Sequence, residues 1–284
     1  MSSPRVRYLV LFQYCGTKYS GVMATPATQA LLGVQNYLEL AAQNLKPAAP
    51  ITFSISSRTD SGVHALCNSA HLDIQRTNGK LPFSEDVLVH ALNYHLTPEP
   101  ISILKAYRVP TDFHARYRAV SRTYVYRLLT GCTDRSHMPV FERKLCWGLR
   151  TGCLDVSAMQ EAAQFLLGTH DFSAFRSPSS DNVLVSPVKT LEQADIAPAP
   201  GLMTHHLVHR KFQFWELTFR SRSFLYKQVR RMTGILVAVG QGRFTPAQVK
   251  ELLESRDPAA YPSNAMAPPD GLFLKNVEYD GIDT

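Results

Sequence analysis

Several signatures that would name an enzyme outright are missing from this chain. It has no Gly-x-x-x-x-Gly-Lys-Ser/Thr, no Gly-x-Gly-x-x-Gly, no Gly-x-Ser-x-Gly and no His-Glu-x-x-His. Phosphate-loop, dinucleotide, serine-hydrolase and zincin chemistries therefore lose their main support. Cysteine is scarce: Cys15, Cys67, Cys132, Cys146 and Cys153 are odd in number and never spaced Cys-x-x-Cys. That pattern argues against a disulfide scaffold and a zinc ribbon, and for a reducing compartment. Long apolar runs are absent too. Tyr8 to Phe12 and Ile235 to Val239 fall far short of the roughly 18 residues of a membrane span, so no membrane is expected as a partner. His205, His206 and His209 are spaced like ligands but have no nearby carboxylates. A solvated loop is the expectation there, with no metal.

What remains is a chain of 284 residues, 45% hydrophobic, enough for one large or two modest cored domains. Its 30 Lys and Arg stand against 23 Asp and Glu, and the excess is clustered. Lys105, Arg108, Arg116, Arg118, Arg122 and Arg127 face one acid, Asp112; Arg210, Lys211, Arg220, Arg222, Lys227, Arg230 and Arg231 face only Glu216. Both clusters carry aromatics, including Tyr117, Tyr124, Phe224 and Tyr226. Cations suit backbone phosphates and flat rings suit unstacked bases, as a nucleic-acid groove requires. A solvated basic face over core aromatics would produce the same composition.

Periodicity predicts strands at Val6 to Tyr14, Ile51 to Ser56, Ala65 to Ile74 and Ile101 to Val109, with helices over Gly33 to Leu45 and from Ser84 to Leu92. A second α/β half follows. Its strands are expected at Arg122 to Leu129, Val188 to Ile196, Lys211 to Phe219 and Leu272 to Glu278, its helices at Asp155 to Leu167, Phe224 to Val239 and Ala247 to Ser255. The reading is an α/β (α+β) fold of two similar halves, 1–112 and 113–284. Their mixed, mainly antiparallel strands form a continuous central sheet, with helices outside and a basic RNA-binding cleft between. On the helix after Phe224, Leu225, Val229, Met232, Leu236 and Val239 make the apolar stripe, leaving Tyr226, Arg230 and Thr233 away from it.

The turn Ser57-Arg58-Thr59-Asp60-Ser61-Gly62-Val63-His64-Ala65 sets a carboxylate between two strands. Such an Asp ordinarily forms the turn by bonding local amides. The run Arg58-Thr59-Asp60-x-Gly62-Val63-His64-Ala65, however, resembles the signature of the TruA-type tRNA pseudouridine synthases. So, in order, do Tyr14-x-Gly16-x-x-Tyr19-x-Gly21, Asp112-Phe113-His114-Ala115-Arg116, Arg122-Thr123-Tyr124-x-Tyr126, Leu167-Gly168-Thr169-His170-Asp171-Phe172, Phe224-Leu225-Tyr226-x-x-Val229-Arg230-Arg231 and Ala267-Pro268-Pro269-Asp270-Gly271-Leu272. The opening loop departs from the family, with Cys15 where Asp and Val22 where Trp is usual.

The resemblance implies that a uridine in tRNA, or another RNA, is isomerised after flipping out of its stack, without metal or organic cofactor. It makes Asp60 the catalytic carboxylate, acting at the sugar C1′, at C6 of uracil or on a 2′ proton. Arg230 would pair with Asp60, Tyr124 stack on the uracil, Leu272 supply an apolar wall, and Arg58 brace the backbone at the extruded base. Lys105, Arg116, Arg118, Arg122, Lys227 and Arg231 would meet phosphates. Some family members are homodimers, so a second copy is a possible partner. The details most resemble an animal branch, which implies a mitochondrial location, with cytoplasm or nucleus as the alternative. The stretch before Glu39 is free of acids, yet the strand starting by Val6 leaves little room for a cleavable leader. An RNA-binding or tRNA-folding module that keeps the fold is the alternative function. A carboxylate hydrolase would want a second matched acid.

Overall fold

The computed structural model describes residues 3–132, 134, 137–178, 185–201 and 207–283. In chain order its strands are β1 (Val6–Tyr14), β2 (Ser54–Ile55), β3 (His64–Ile74), β4 (Ile101–Val109), β5 (Ala119–Thr130), β6 (Trp147–Gly148), β7 (Gly168–Asp171), β8 (Val188–Ala199), β9 (Gln213–Ser221) and β10 (Leu272–Tyr279). Its helices are α1 (Val34–Gln43), α2 (Glu85–Leu96), α3 (Val156–Gln164), α4 (Gln228–Gly240) and α5 (Pro246–Ser255). This is a mixed α/β fold with largely antiparallel strands. No helix among the described residues is long and apolar enough to cross a membrane.

The chain divides into two compact units, Met1–Val120 with Phe273–Thr284, and Ser121–Leu272. Compared with the expected division after residue 112, the first unit keeps 113–120 and takes back the last strand. Hydrogen bonds explain why. The Ala115 carbonyl accepts from Ser56 Oγ and Tyr279 Oη, and the Phe113 carbonyl from Arg7 Nη1.

In the first unit β1 lies between β3 and β4, antiparallel to both. The other edge of β3 takes β2 antiparallel at one end and β10 parallel at the other, with Phe273 beside His64. Tyr8, Leu9, Val10 and Phe12 of β1 are fully buried, as an inner strand requires. Helices α1 and α2 pack on each other. They bury Val34, Leu38 and Ala41 from one, and Leu88, Leu92 and Leu96 from the other, at helical spacing.

In the second unit β5, β9, β8 and β7 pair antiparallel in that order, and β6 lies parallel on β5. Asp155 caps α3 by accepting from the Ala158 amide at 3.0 Å. Thr245 and Gln248 close a capping box on α5, with Pro246 in its first turn. Helix α4 departs from the two-faced expectation, because all thirteen of its residues are buried, Arg230 and Thr233 among them. One reason is at Gly234, where a Cβ would stand 1.8 Å from the Ala265 carbonyl oxygen. The loop after α5 therefore covers the helix away from its apolar stripe.

Candidate active site

In the first unit the Asp60 turn is held by backbone and by buried side chains. Asp60 bridges Gly21, the Val22 amide donates to the Thr59 carbonyl at 3.2 Å, and the Val63 amide closes the turn on the Asp60 carbonyl at 3.2 Å. Gly62 takes φ +79°, a left-handed conformation that a side chain resists. Beneath the turn, Tyr14 Oη shares a proton with Thr59 Oγ1 at 2.7 Å, and Asn68 Nδ2 donates to the Ser57 carbonyl at 3.0 Å. Burial pushes the Tyr14 phenol up to about 12, so it stays a neutral hydrogen-bonding group. Asp60 itself is half-buried and Arg58 exposed. These bonds fix the backbone that carries the carboxylate.

The loop following β1 clamps the turn from the side. Gly16 lies so close to Val63 that a Cβ would stand 1.9 Å from the Val63 carbonyl oxygen. The Gly16 amide donates to His64 Nδ1 at 3.1 Å, and the His64 ring, 1% exposed, stacks on Phe273 at 4.6 Å. A bond from Gly16 N–H into Nδ1 requires that nitrogen to be deprotonated. Cys15, half-buried next door, has its thiol pKa lowered to about 7, chiefly by its hydrogen bond with His64. Sequence reasoning named Tyr14, Gly16 and His64 only as matching letters, and their supporting roles come from contacts 45 and 48 residues apart in the chain.

In the second unit the segment Ala267 to Leu272 is tied to Arg230 and to Tyr126. The Arg230 guanidinium donates from Nε to the Ala267 carbonyl at 2.9 Å, and the Ala267 amide returns a bond to the Arg230 carbonyl at 3.1 Å. Further along, Tyr126 Oη donates to the Pro268 carbonyl at 2.7 Å, and Gly271 rests on the Tyr126 ring. Tyr124 shares its strand face with Tyr126 by period-two alternation, and meets Phe224 edge-on at 5.2 Å. Leu272, 5% exposed, follows directly. A ring, an apolar wall and a braced guanidinium are what a flipped pyrimidine would need.

The expected phosphate contacts divide. Lys105, Arg116 and Arg118 are exposed, Arg118 in an ion pair with Asp112 at 2.9 Å, and Lys227 is half-buried over the Tyr226 ring. Arg122 and Arg231 are turned inward, which corrects their expected place on an RNA-facing surface. Arg122 Nη1 donates to the Arg222 carbonyl at 2.5 Å. Arg231 donates to the Ala174 and Arg176 carbonyls, and its guanidinium lies 3.9 Å from the Tyr261 ring centre. Burial lowers the Arg231 pKa from its usual value. A planar guanidinium with several donors can satisfy buried carbonyls in this way, so a basic run need not be a basic surface.

Of the three clustered histidines, His205 and His206 lie outside the described residues, and His209 stacks on Phe212 at 5.3 Å. Among the described residues no group of three or more His, Cys, Asp and Glu is arranged to hold a metal ion.

Comparison with known proteins identifies the family. A family model described as tRNA pseudouridine synthase matches residues 10–118 and 162–280. A "tRNA pseudouridine synthase-like 1" of Xenopus laevis is 64% identical over 100% of this chain and 94% of its own length. The protein of that name from Homo sapiens is 57% identical over 99% of this chain and 92% of its own. A "tRNA pseudouridine synthase A" of Hyphomonas neptunium is 38% identical over 96% of this chain and 98% of its own. With the family model matching most of the chain and these relatives aligned over nearly all of it, this chain belongs to the TruA-type tRNA pseudouridine synthase family.

Proposed function

We propose that this protein isomerises a uridine of tRNA to pseudouridine, with Asp60 as the catalytic carboxylate. The reaction breaks the N1 to C1′ bond of uridine, turns the uracil and joins C5 to C1′. The proton lost from C5 is balanced by one gained at N1, so the product is an isomer and no outside reductant or oxidant enters. In this reading Asp60 acts at the sugar or at the ring, Tyr124 presents its aromatic face to uracil, and Leu272 supplies an apolar surface. Arg230 contributes positive charge to the reaction. Arg58, exposed beside Asp60, braces the RNA backbone where the base is extruded.

The observation carrying this reading is the Asp60 turn itself. It is fixed by Gly21, Val63 and the Tyr14 to Thr59 bond, in a chain whose family is established. A module that only bound RNA would have no use for a carboxylate so held, since it repels phosphate. The test compares wild type with Asp60→Asn on the same tRNA, by chemical mapping of pseudouridine together with tRNA affinity. Loss of the product with binding retained is expected; the same yield from both would end the proposal. We also infer a mitochondrial location, resting on the resemblance to the animal branch of the family, for which organelle fractionation is the measurement. Assembly with a second copy is likewise proposed, and light scattering measures it.

A further inference from the structure

Among the described residues, Tyr94 and Tyr117 are the tyrosines left most open to solvent, at 78% and 70%. Their settings differ. Tyr94 lies on α2 against His95, on a helix whose first turn is acidic. Tyr117 stands between Arg116 and Arg118, with the Arg116 guanidinium 5.9 Å and the His114 ring 4.3 Å from its ring centre.

The backbone below Tyr117 is unusually well held for a surface turn. The Tyr117 and Arg118 amides both donate to the His114 carbonyl, at 3.1 and 2.9 Å. The Ala115 carbonyl receives Ser56 Oγ and Tyr279 Oη, and its amide donates to His71 Nδ1 at 3.2 Å. An exposed ring on an anchored turn is already in place before anything binds, so little ordering cost is left for a partner to overcome. Ser56 is four residues ahead of Asp60, a stretch that spans at most about 14 Å. The platform is therefore anchored to the segment that leads into the turn carrying the carboxylate, within the same unit.

Resting on the function proposed above, we propose that Tyr117, with Arg116 and Arg118, is a stacking platform for an unpaired nucleotide of the RNA, separate from the uridine that reacts. The ring takes the face of a base and the arginines take the neighbouring phosphates. A paired helix hides base faces in its stack, so the occupant comes from a loop, bulge or end. The site thereby selects RNA with an unpaired nucleotide at a set distance from the target.

The experiment measures affinity of the full-length protein for a tRNA transcript by fluorescence anisotropy over a range of salt, for wild type, Tyr117→Ala and Tyr117→Phe. Loss of one stacked base is worth about a fivefold to hundredfold drop in affinity, and Tyr117→Ala is expected to show it. Tyr117→Phe keeps the ring and binds within about twofold of wild type. The salt slope of Tyr117→Ala matches wild type because no cation is lost. Equal affinity of Tyr117→Ala and wild type, an equal loss in Tyr117→Phe, or no tRNA binding by wild type overturns the platform. If thermal melting shows Tyr117→Ala poorly folded, Tyr117→Leu serves the same comparison. Pseudouridine formation by wild type separates the two proposals. No product with weakened Tyr117→Ala binding defeats the function and leaves the platform standing; product with unweakened binding defeats the platform alone.

Discussion

Substituting Gly16 by Ala tests whether the loop after β1 positions Asp60. The added Cβ would stand 1.9 Å from the Val63 carbonyl oxygen and 2.6 Å from its carbon. Reaching even 3.0 Å, the shortest approach a Cβ tolerates, requires the two backbones to separate by about 1 Å. Val63 is bonded through its amide to the Asp60 carbonyl, so its shift moves the carboxylate. A misplacement of about 1 Å costs on the order of a hundredfold in rate. Overpacking adds about 1–3 kcal/mol of instability, and a strained Gly16 to His64 bond up to about 1–3 more. A domain of typical stability, about 5–15 kcal/mol, stays folded under that loss unless it starts near the bottom of the range, and the thermal midpoint of Gly16→Ala reports which holds. Gly152→Ala is the control, because nothing lies within 4 Å of a Cβ there. The assay is a single turnover with enzyme in excess over tRNA, below the unfolding midpoint of both variants. If Gly16→Ala turns over within threefold of Gly152→Ala, the loop does not position the carboxylate and the reasoning fails.

Two further outcomes follow from the buried cations and histidines. Burial, then Arg7 and His114, lowers the His71 pKa to about 4. Between about pH 6.5 and 4 the unfolded chain thus binds a proton that the folded one refuses. Stability falls as pH drops through that window, by up to about 3 kcal/mol; urea unfolding should show it, and His71→Gln should flatten it. Arg231→Ala strands the carbonyls of Ala174 and Arg176 and removes the cation from Tyr261. It should cost about 2–4 kcal/mol of stability with an unchanged salt slope for tRNA binding, whereas Arg116→Ala lowers that slope by about 0.7–0.9. A reduced slope in Arg231→Ala would place its guanidinium on phosphate after all.

Local chemistry made much of the fold legible. Strand β1 has the bounds that its alternation predicts, and Thr245 with Pro246 announces α5. The two-residue β6 and the polar β7 escaped because neither is long enough or apolar enough to show a period. Helix α4 begins at Gln228 instead of Phe224, with Lys227 before it in a left-handed conformation. Its apolar stripe is present, but a stripe on one face does not say whether the other meets water. The loop at Ala265 to Ala267 decided that.

The sequence by itself determined the α/β class, the strand and helix order, the carboxylate turn at Asp60 and, through ordered motifs, the family. Those depend on short-range periodicity, turn chemistry and residue identity, which neighbouring positions carry. Only the tertiary structure decided that His64 and Tyr14 hold the turn, that the segment Ala267 to Leu272 is tied to Arg230 and Tyr126, and that Arg122 and Arg231 face inward while Arg116 faces out. Whether an arginine meets water or a carbonyl depends on what distant chain packs over it. Adjacent residues do not encode that.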